Sequence, residues 1–202
     1  VGDSDQVVFA RSTAKPLQAL PLVMHGGVER FGLTDEELAV ICSSHSGQSK
    51  HTALVQSILH KCGLDVGRLR CGVHTPWDEA TARRLIEQHE TASALHNNCS
   101  GKHAGMLALC RLLDADLDTY MQPDHPVQKL MRETIAEFCD LHPSQLATGT
   151  DGCGVPVYAM PIQKLATAMA RLAAPERLPH AWQAACRTLF AAMANAPELV
   201  AG

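Results

Sequence analysis

Phe9-Ala-Arg-Ser-Thr-Ala-Lys-Pro16 lies at the corner between two patterns. Val7 to Ala10 is a short run of β-formers, and beyond the corner Leu17, Leu20, Leu22 and Val23 recur at helical spacing. Ser12 therefore falls where a strand gives way to a helix. Lys15, three residues on, shares its helical face, so its amine can reach the Ser12 hydroxyl. A serine hydroxyl is a poor nucleophile until a neighbouring base takes its proton. A lysine serves as that base when burial or nearby positive charge holds its pKa down. Ser-x-x-Lys is the arrangement of acyl-transfer serine enzymes. The plainer reading of two residues at one spacing is a capping serine and a solvated lysine. A lysine in a first turn, however, opposes the helix dipole.

Outward from this corner the chain reads mostly as helix. A first helix is expected over about Thr13 to Val23, with Pro21 kinking or ending it. Thr34, followed three residues later by Glu37, has the form of a capping box that opens a helix to about Cys42. Lys50 to Cys62 is amphipathic and stops at Gly63. Further helices are expected over Trp77 to His89, Ser100 to Leu113, Asp124 to Cys139, Pro161 to Ala173 and Glu176 to Ala194. Strand-like segments are few: Val7 to Ala10, Leu69 to Val73 and Leu146 to Thr150. Thr148 to Pro156 is a glycine-rich turn. The fold class is therefore α/β of the α+β kind, mainly helical. Pro197-Glu-Leu-Val-Ala-Gly202 reads like the middle of a protein. A single domain over 1–202, incomplete at both ends, is the expectation.

The chain has 202 residues, of which 46% are hydrophobic, enough for a sizeable core. A net charge of −4 without a basic run argues against nucleic acid and acidic membrane surfaces as partners. No apolar run approaches a membrane span, and Val1-Gly-Asp-Ser-Asp5 does not read as a signal peptide. Of the eight cysteines, Cys62, Cys110, Cys139 and Cys186 lie in or at the end of apolar helical patterns, as small buried hydrophobes do. A core of this size needs no disulfide staples, and a reducing, cytoplasmic setting is expected.

Three further clusters carry chemistry. In Asn97-Asn-Cys-Ser-Gly-Lys-His-Ala-Gly-Met106, polar and small residues open a helix, and Cys99, Lys102 and His103 share one face. Cys153, between two glycines, is the other cysteine in a polar setting. Two cysteines and a nearby histidine can hold a zinc ion with one position left for water. Two ordinary thiols at a glycine-tightened helix start are the plain alternative, and an anion bound by the free amides there is a third. The loop Ser43-Ser-His-Ser-Gly47 offers three hydroxyls and an imidazole, and gains meaning only beside Ser12. Asp151 in the glycine-rich turn can orient a cation or an α-ammonium group, or simply make an Asp-Gly turn.

Ala10-Arg-Ser-Thr-Ala-Lys-Pro16, Cys42-Ser-Ser-His-Ser-Gly47, Asn98-Cys-Ser-Gly-Lys-His-Ala-Gly-Met106 and Gly149-Thr-Asp-Gly-Cys-Gly-Val-Pro156 occur together and in order. With these motifs the chain closely resembles, over essentially its whole length, the bacterial asparaginase II family of inducible Rhizobium-type L-asparaginases. The resemblance implies a fold like the serine β-lactamases and glutaminases, an antiparallel sheet with a large helical subdomain. It implies Ser12 as nucleophile, Lys15 as its base and Ser44 as the second serine of a proton relay. It implies Cys99, Lys102 and Cys153 as ligands of a zinc ion close to the substrate, where spacing alone favoured His103 over Lys102. Arg11, Asp151 and Gly152 match positions that line the substrate pocket. A further lysine on a Lys-x-Gly-like strand and further strands at both ends are also implied, and are not in this chain.

The activity implied is hydrolysis of L-asparagine to L-aspartate and ammonia, with backbone amides near the helix start stabilising the oxyanion. The rivals are glutaminase or β-lactam acyl transfer on the same fold, and a catalytically inactive, metal-stabilised module that binds a small molecule. A homodimer is expected, because an incomplete sheet edge favours pairing.

Overall fold

The computed structural model describes residues 2–200. Strand β1 (Val7–Phe9) runs into a 3-10 turn, Arg11–Ala14, and then helix α1 (Lys15–Met24). Pro21 sits inside α1, and the helix continues three residues beyond it. A proline so close to the end removes one amide donor without breaking a long ladder. Helix α2 (Gly27–Phe31) follows the Gly26 turn. Helix α3 (Asp35–Cys42) starts on the expected capping box. The Glu37 amide donates to Thr34 Oγ1 at 3.3 Å, and the Thr34 amide donates to Glu37 Oε2 at 2.8 Å. Helix α4 (Ser49–Lys61) closes on Gly63, whose φ of +67° suits glycine at a helix end.

Leu69 to Val73 is not a strand. Gly72 takes a left-handed φ of +78°, and the segment's backbone is held by side chains instead of a neighbouring strand. The Arg70 amide donates to the Tyr120 hydroxyl at 3.0 Å, and Asn97 Nδ2 donates to the Cys71 carbonyl at 2.8 Å. Helices α5 (Glu79–Glu87), α6 (Ser100–Leu113) and α7 (Pro126–Cys139) follow, the last with Pro126 at its first turn, as the sequence suggests.

Among the described residues the sheet has three antiparallel strands in the order β1-β3-β2, with β2 at Ala147–Thr150 and β3 at Pro156–Pro161. Phe9 pairs with Ala159, which pairs in turn with Ala147. The central strand, β3, carries no periodic signal: Val157-Tyr-Ala-Met160 is four residues between two prolines, buried throughout. Both prolines sit at strand ends, where a missing amide is tolerated. What reads as a glycine-rich turn is the β2–β3 hairpin. Helices α8 (Ile162–Ala173), α9 (His180–Asn195) and α10 (Pro197–Val200) complete the described chain.

Helix α6 is the axis of the core and is buried from Ser100 to Cys110. Leu17 and Leu20 of α1, Leu38 and Val40 of α3, and Met106 and Leu107 of α6 are all essentially inaccessible. Each such side chain is worth about 1.5–3 kcal/mol of transfer free energy. Gly101 lets α3 lie close against α6: a Cβ there would stand 2.2 Å from the Val40 carbonyl oxygen. Cys62, Cys110, Cys139 and Cys186 are buried as expected, and all eight cysteines are free thiols. Among the described residues, no helix is long and apolar enough to cross a membrane.

Candidate active site

Four pieces of chain meet at one end of α6: the 3-10 turn after β1, the loop after α3, the start of α6 and the β2–β3 hairpin turn. The Ala10 amide donates to the Tyr158 carbonyl at 3.0 Å, which extends the β1–β3 pairing to the edge of the turn and fixes where Ser12 emerges. Lys15, first residue of α1, is only 1% exposed. Its Nζ donates to the Ser43 carbonyl at 2.5 Å and the Asn98 carbonyl at 3.2 Å, and lies 2.8 Å from Ser44 Oγ. Ser44 Oγ is in turn 2.7 Å from Ser12 Oγ.

The direct Lys15–Ser12 reach expected from spacing is thus replaced by a chain through Ser44. The amine is drawn inward by two carbonyls, and the second serine bridges the gap. Burial pulls the Lys15 pKa below the ordinary lysine range; the Lys102 charge adds to this, and the neighbouring thiols Cys99 and Cys153 oppose it. Arg11 precedes the serine with φ at +45°, a left-handed conformation that costs a non-glycine residue about 1–3 kcal/mol. Its guanidinium lies 3.3 Å from Asp151 Oδ1.

On the other side of the same opening stand Cys99 and Cys153, both 5% exposed. Their sulfurs and a carboxylate oxygen of Asp151 all lie within 4.8 Å of one another. Lys102 Nζ donates to Cys153 Sγ at 3.2 Å and lies 3.7 Å from Asp151 Oδ2. The Cys99 thiol is drawn down to about 6, chiefly by its hydrogen bond with Cys153 and against the penalty of burial, with Lys102 and Lys15 helping. Two sulfurs and a carboxylate oxygen at this separation are a donor set that fits a borderline-soft divalent ion such as zinc. Asp151 joins the sulfurs, beside the expectation that it orients a cation or an α-ammonium group. His103 is not in this group. It is fully buried, and its Nδ1 is 2.6 Å from the Tyr120 hydroxyl.

Ser12, Arg11, Cys99, Asp151, Gly152 and Cys153 line one cavity of about 360 Å³, together with His74, Trp77, Asn97 and Asn98. A larger surface cleft of about 820 Å³, between the end of α7 and α8 with the residues that follow it, contains none of these groups. No motif in the sequence marks His74 or Trp77 for the site, and Trp77, expected to open a helix, lies just before α5. Here their rings stack at 5.9 Å. His74 Nδ1 faces the Thr75 carbonyl at 2.7 Å and must donate to it, so Nε2 accepts the Asn98 amide at 3.0 Å. That bond holds the Asn98 peptide, whose carbonyl orients Lys15.

Three amides of the turn that opens α6 are committed. Asn98 N–H goes to His74, Cys99 N–H to Asn97 Oδ1 at 2.9 Å, and Ser100 N–H to the Asn97 carbonyl at 2.9 Å. The compact polar turn satisfies its own donors, so an anion has no claim on those three.

A family model described as L-asparaginase II matches residues 1–202, the whole chain. No curated protein matches it.

Proposed function

The chain belongs to the L-asparaginase II family, and from that premise we propose that it hydrolyses L-asparagine to L-aspartate and ammonia through an acyl-enzyme on Ser12. The observation that carries this reading is the continuous Ser12–Ser44–Lys15 contact, at 2.7 and 2.8 Å.

A neutral amine has two N–H bonds and one lone pair. At Lys15 the two N–H bonds go to the carbonyls of Ser43 and Asn98, which leaves the lone pair facing Ser44. In this state Ser44 donates to Lys15 and accepts from Ser12. As Ser12 Oγ attacks the side-chain amide carbon, its proton passes to Ser44 and the Ser44 proton passes to Lys15. The tetrahedral adduct collapses when the relay returns a proton to the leaving nitrogen, and ammonia departs. Water then attacks the β-aspartyl ester by the same relay, and Ser12 is released with its proton restored. The oxyanion donors in this reading are backbone amides of the segment carrying Ser12.

Arg11 and Asp151 provide a cation and an anion at the rim for the substrate's α-carboxylate and α-ammonium groups, with Gly152 leaving room beside them. Cys99, Lys102 and Cys153, with Asp151 alongside, are the residues that would hold a zinc ion. Such an ion supplies a fixed positive charge that helps orient the substrate. A lysine must give up its proton to serve as a ligand.

Comparing turnover of L-asparagine, L-glutamine and a chromogenic β-lactam tests the assignment. Asparagine should lead. A one-methylene difference in the pocket separates asparagine from glutamine by only about 1–3 kcal/mol, so slow glutamine hydrolysis is compatible. Preference for the β-lactam, or no turnover of any of the three with no Ser12 acylation, would overturn it.

A further inference from the structure

The loop that carries Ser44 also carries a histidine for which the acyl-transfer steps have no use. His45 is fully inaccessible, and both of its nitrogens are engaged. The Gly47 amide donates to Nδ1 at 3.2 Å, so that nitrogen carries no proton. Nε2–H therefore donates to Ser100 Oγ at 2.9 Å, and the Ser100 hydroxyl passes its own proton to the Leu95 carbonyl, also at 2.9 Å. Each donor in this chain has one acceptor, and the tautomer of His45 follows without a choice. His51 of α4 stacks on the ring at 5.1 Å with an interplanar angle of 18°, which fixes its plane.

The consequence is mechanical. Ser44 must stand within hydrogen-bond reach of Ser12 and Lys15 at once, yet it lies on an irregular loop just past the end of α3. Its next neighbour in the chain is bolted at one ring edge to the loop's own turn and at the other to the first residue of α6, beside Cys99. A neutral imidazole suits this task because it offers one acceptor and one donor on a rigid frame. We propose that His45 is a positioning residue of the acyl-transfer reaction: through its bond to Ser100 it sets Ser44 in the proton relay and locks that relay to the helix carrying Cys99 and Lys102. This rests on the Ser12–Ser44–Lys15 reading of the site.

The two ring nitrogens can be removed separately. His45→Asn keeps an acceptor at the δ position and loses the reach to Ser100. His45→Gln keeps a donor at the ε position. Ser100→Ala removes the partner and leaves the imidazole. Steady-state ammonia release from L-asparagine, and the rate at which a serine-directed acylating probe labels Ser12, are measured for each and for the double variant His45→Asn/Ser100→Ala. The expected result is a fall of about 10–100-fold in kcat and in labelling rate for His45→Asn and Ser100→Ala, since a displacement of the order of 1 Å at a reacting group has that effect. KM should stay within about threefold, because substrate contacts are intact. His45→Gln should recover part of the loss, and the double variant should be no slower than the worse single one, since both cut the same link.

Folded variants with kcat and labelling rate within about twofold of the parent, or losses that multiply in the double variant, would overturn the proposal. If the His45 variants do not fold, Ser100→Ala decides by the same criteria. Ser12→Ala runs alongside. If it still releases ammonia, the relay reading falls and this inference with it; if it is inactive while the His45 and Ser100 variants are fully active, the positioning role alone is wrong.

Discussion

Ser44 Oγ stands 2.7 Å from Ser12 Oγ, although the two residues are 32 positions apart and lie on different elements. Lys15 Nζ is 2.8 Å from the same Ser44 oxygen. Ser44 is therefore the only side chain among the described contacts that bridges Lys15 and Ser12, and the proposed relay depends on it. Ser44→Ala should lower kcat by about 10²–10⁴-fold, the span of general acid–base contributions, with a small change in KM. Steady-state kinetics on L-asparagine would decide it, and a Ser44→Ala enzyme of parental kcat would remove the relay.

Lys15 must be neutral to accept a proton, and burial pulls its pKa down from the ordinary 10.5. In the proposed mechanism only the deprotonated fraction is active, so kcat/KM should rise with pH along a limb whose midpoint lies below that of a free lysine. A pH–rate profile checks this. A limb centred at or above the ordinary lysine value would contradict it.

At His45 a depressed pKa bears on stability. Burial, then the neighbouring His51 and Lys15, push its pKa down from 6.5 to about 3. Between those values the unfolded chain binds a proton that the folded one excludes. Stability should then fall as the pH drops from about 6.5 towards 3, at up to about 1.4 kcal/mol per pH unit from this group. Urea denaturation at a series of pH values should show a shallower acid slope in His45→Gln than in the parent. Equal slopes would mean that His45 does not carry the effect.

The sulfur–carboxylate cluster predicts metal-linked stability. Zinc at a hundredfold excess over its dissociation constant should add about 2.7 kcal/mol, read as a rise in Tm that Cys99→Ser or Cys153→Ser abolishes. Chelator should reverse the rise. A parental Tm insensitive to zinc would argue against a metal site.

Gly101 tests the packing that brings α6 to the site. An alanine there gains about 1 kcal/mol of helix propensity, but its Cβ would lie 2.2 Å from the Val40 carbonyl oxygen. Backbone cannot rotate out of the way, so the overpacking cost of about 1–3 kcal/mol should win, at the upper end of that range. A lower urea midpoint for Gly101→Ala is expected; an unchanged or higher one would show that α3 and α6 do not approach so closely.

Local signals were readable where the physics is local. The Thr34–Glu37 capping box, the span Ser100–Leu113 and the halt at Gly63 depend on residues within a few positions of one another, and the chain adopts them as expected. Strand β3 was not readable, because four residues between prolines are too short to display a period and a strand buried on both faces does not alternate. Leu69 to Val73 looked like a strand by composition, but Gly72 and the side-chain bonds from Tyr120 and Asn97 hold it irregular. At the site, Ser12 and Lys15 stand out by spacing and Cys99 and Cys153 by their polar setting, whereas Ser44, and Lys102 in place of His103, need the family resemblance. The parts played by His74 and Trp77 depend on which loops meet, and periodicity reports only which face of an element is buried.

The most direct test of the account is ammonia release from L-asparagine by the parental chain and by its Ser12→Ala variant, both checked for folding by circular dichroism. The account predicts release by the parent and none above background from a folded Ser12→Ala. A folded Ser12→Ala that releases ammonia at the parental rate would contradict it.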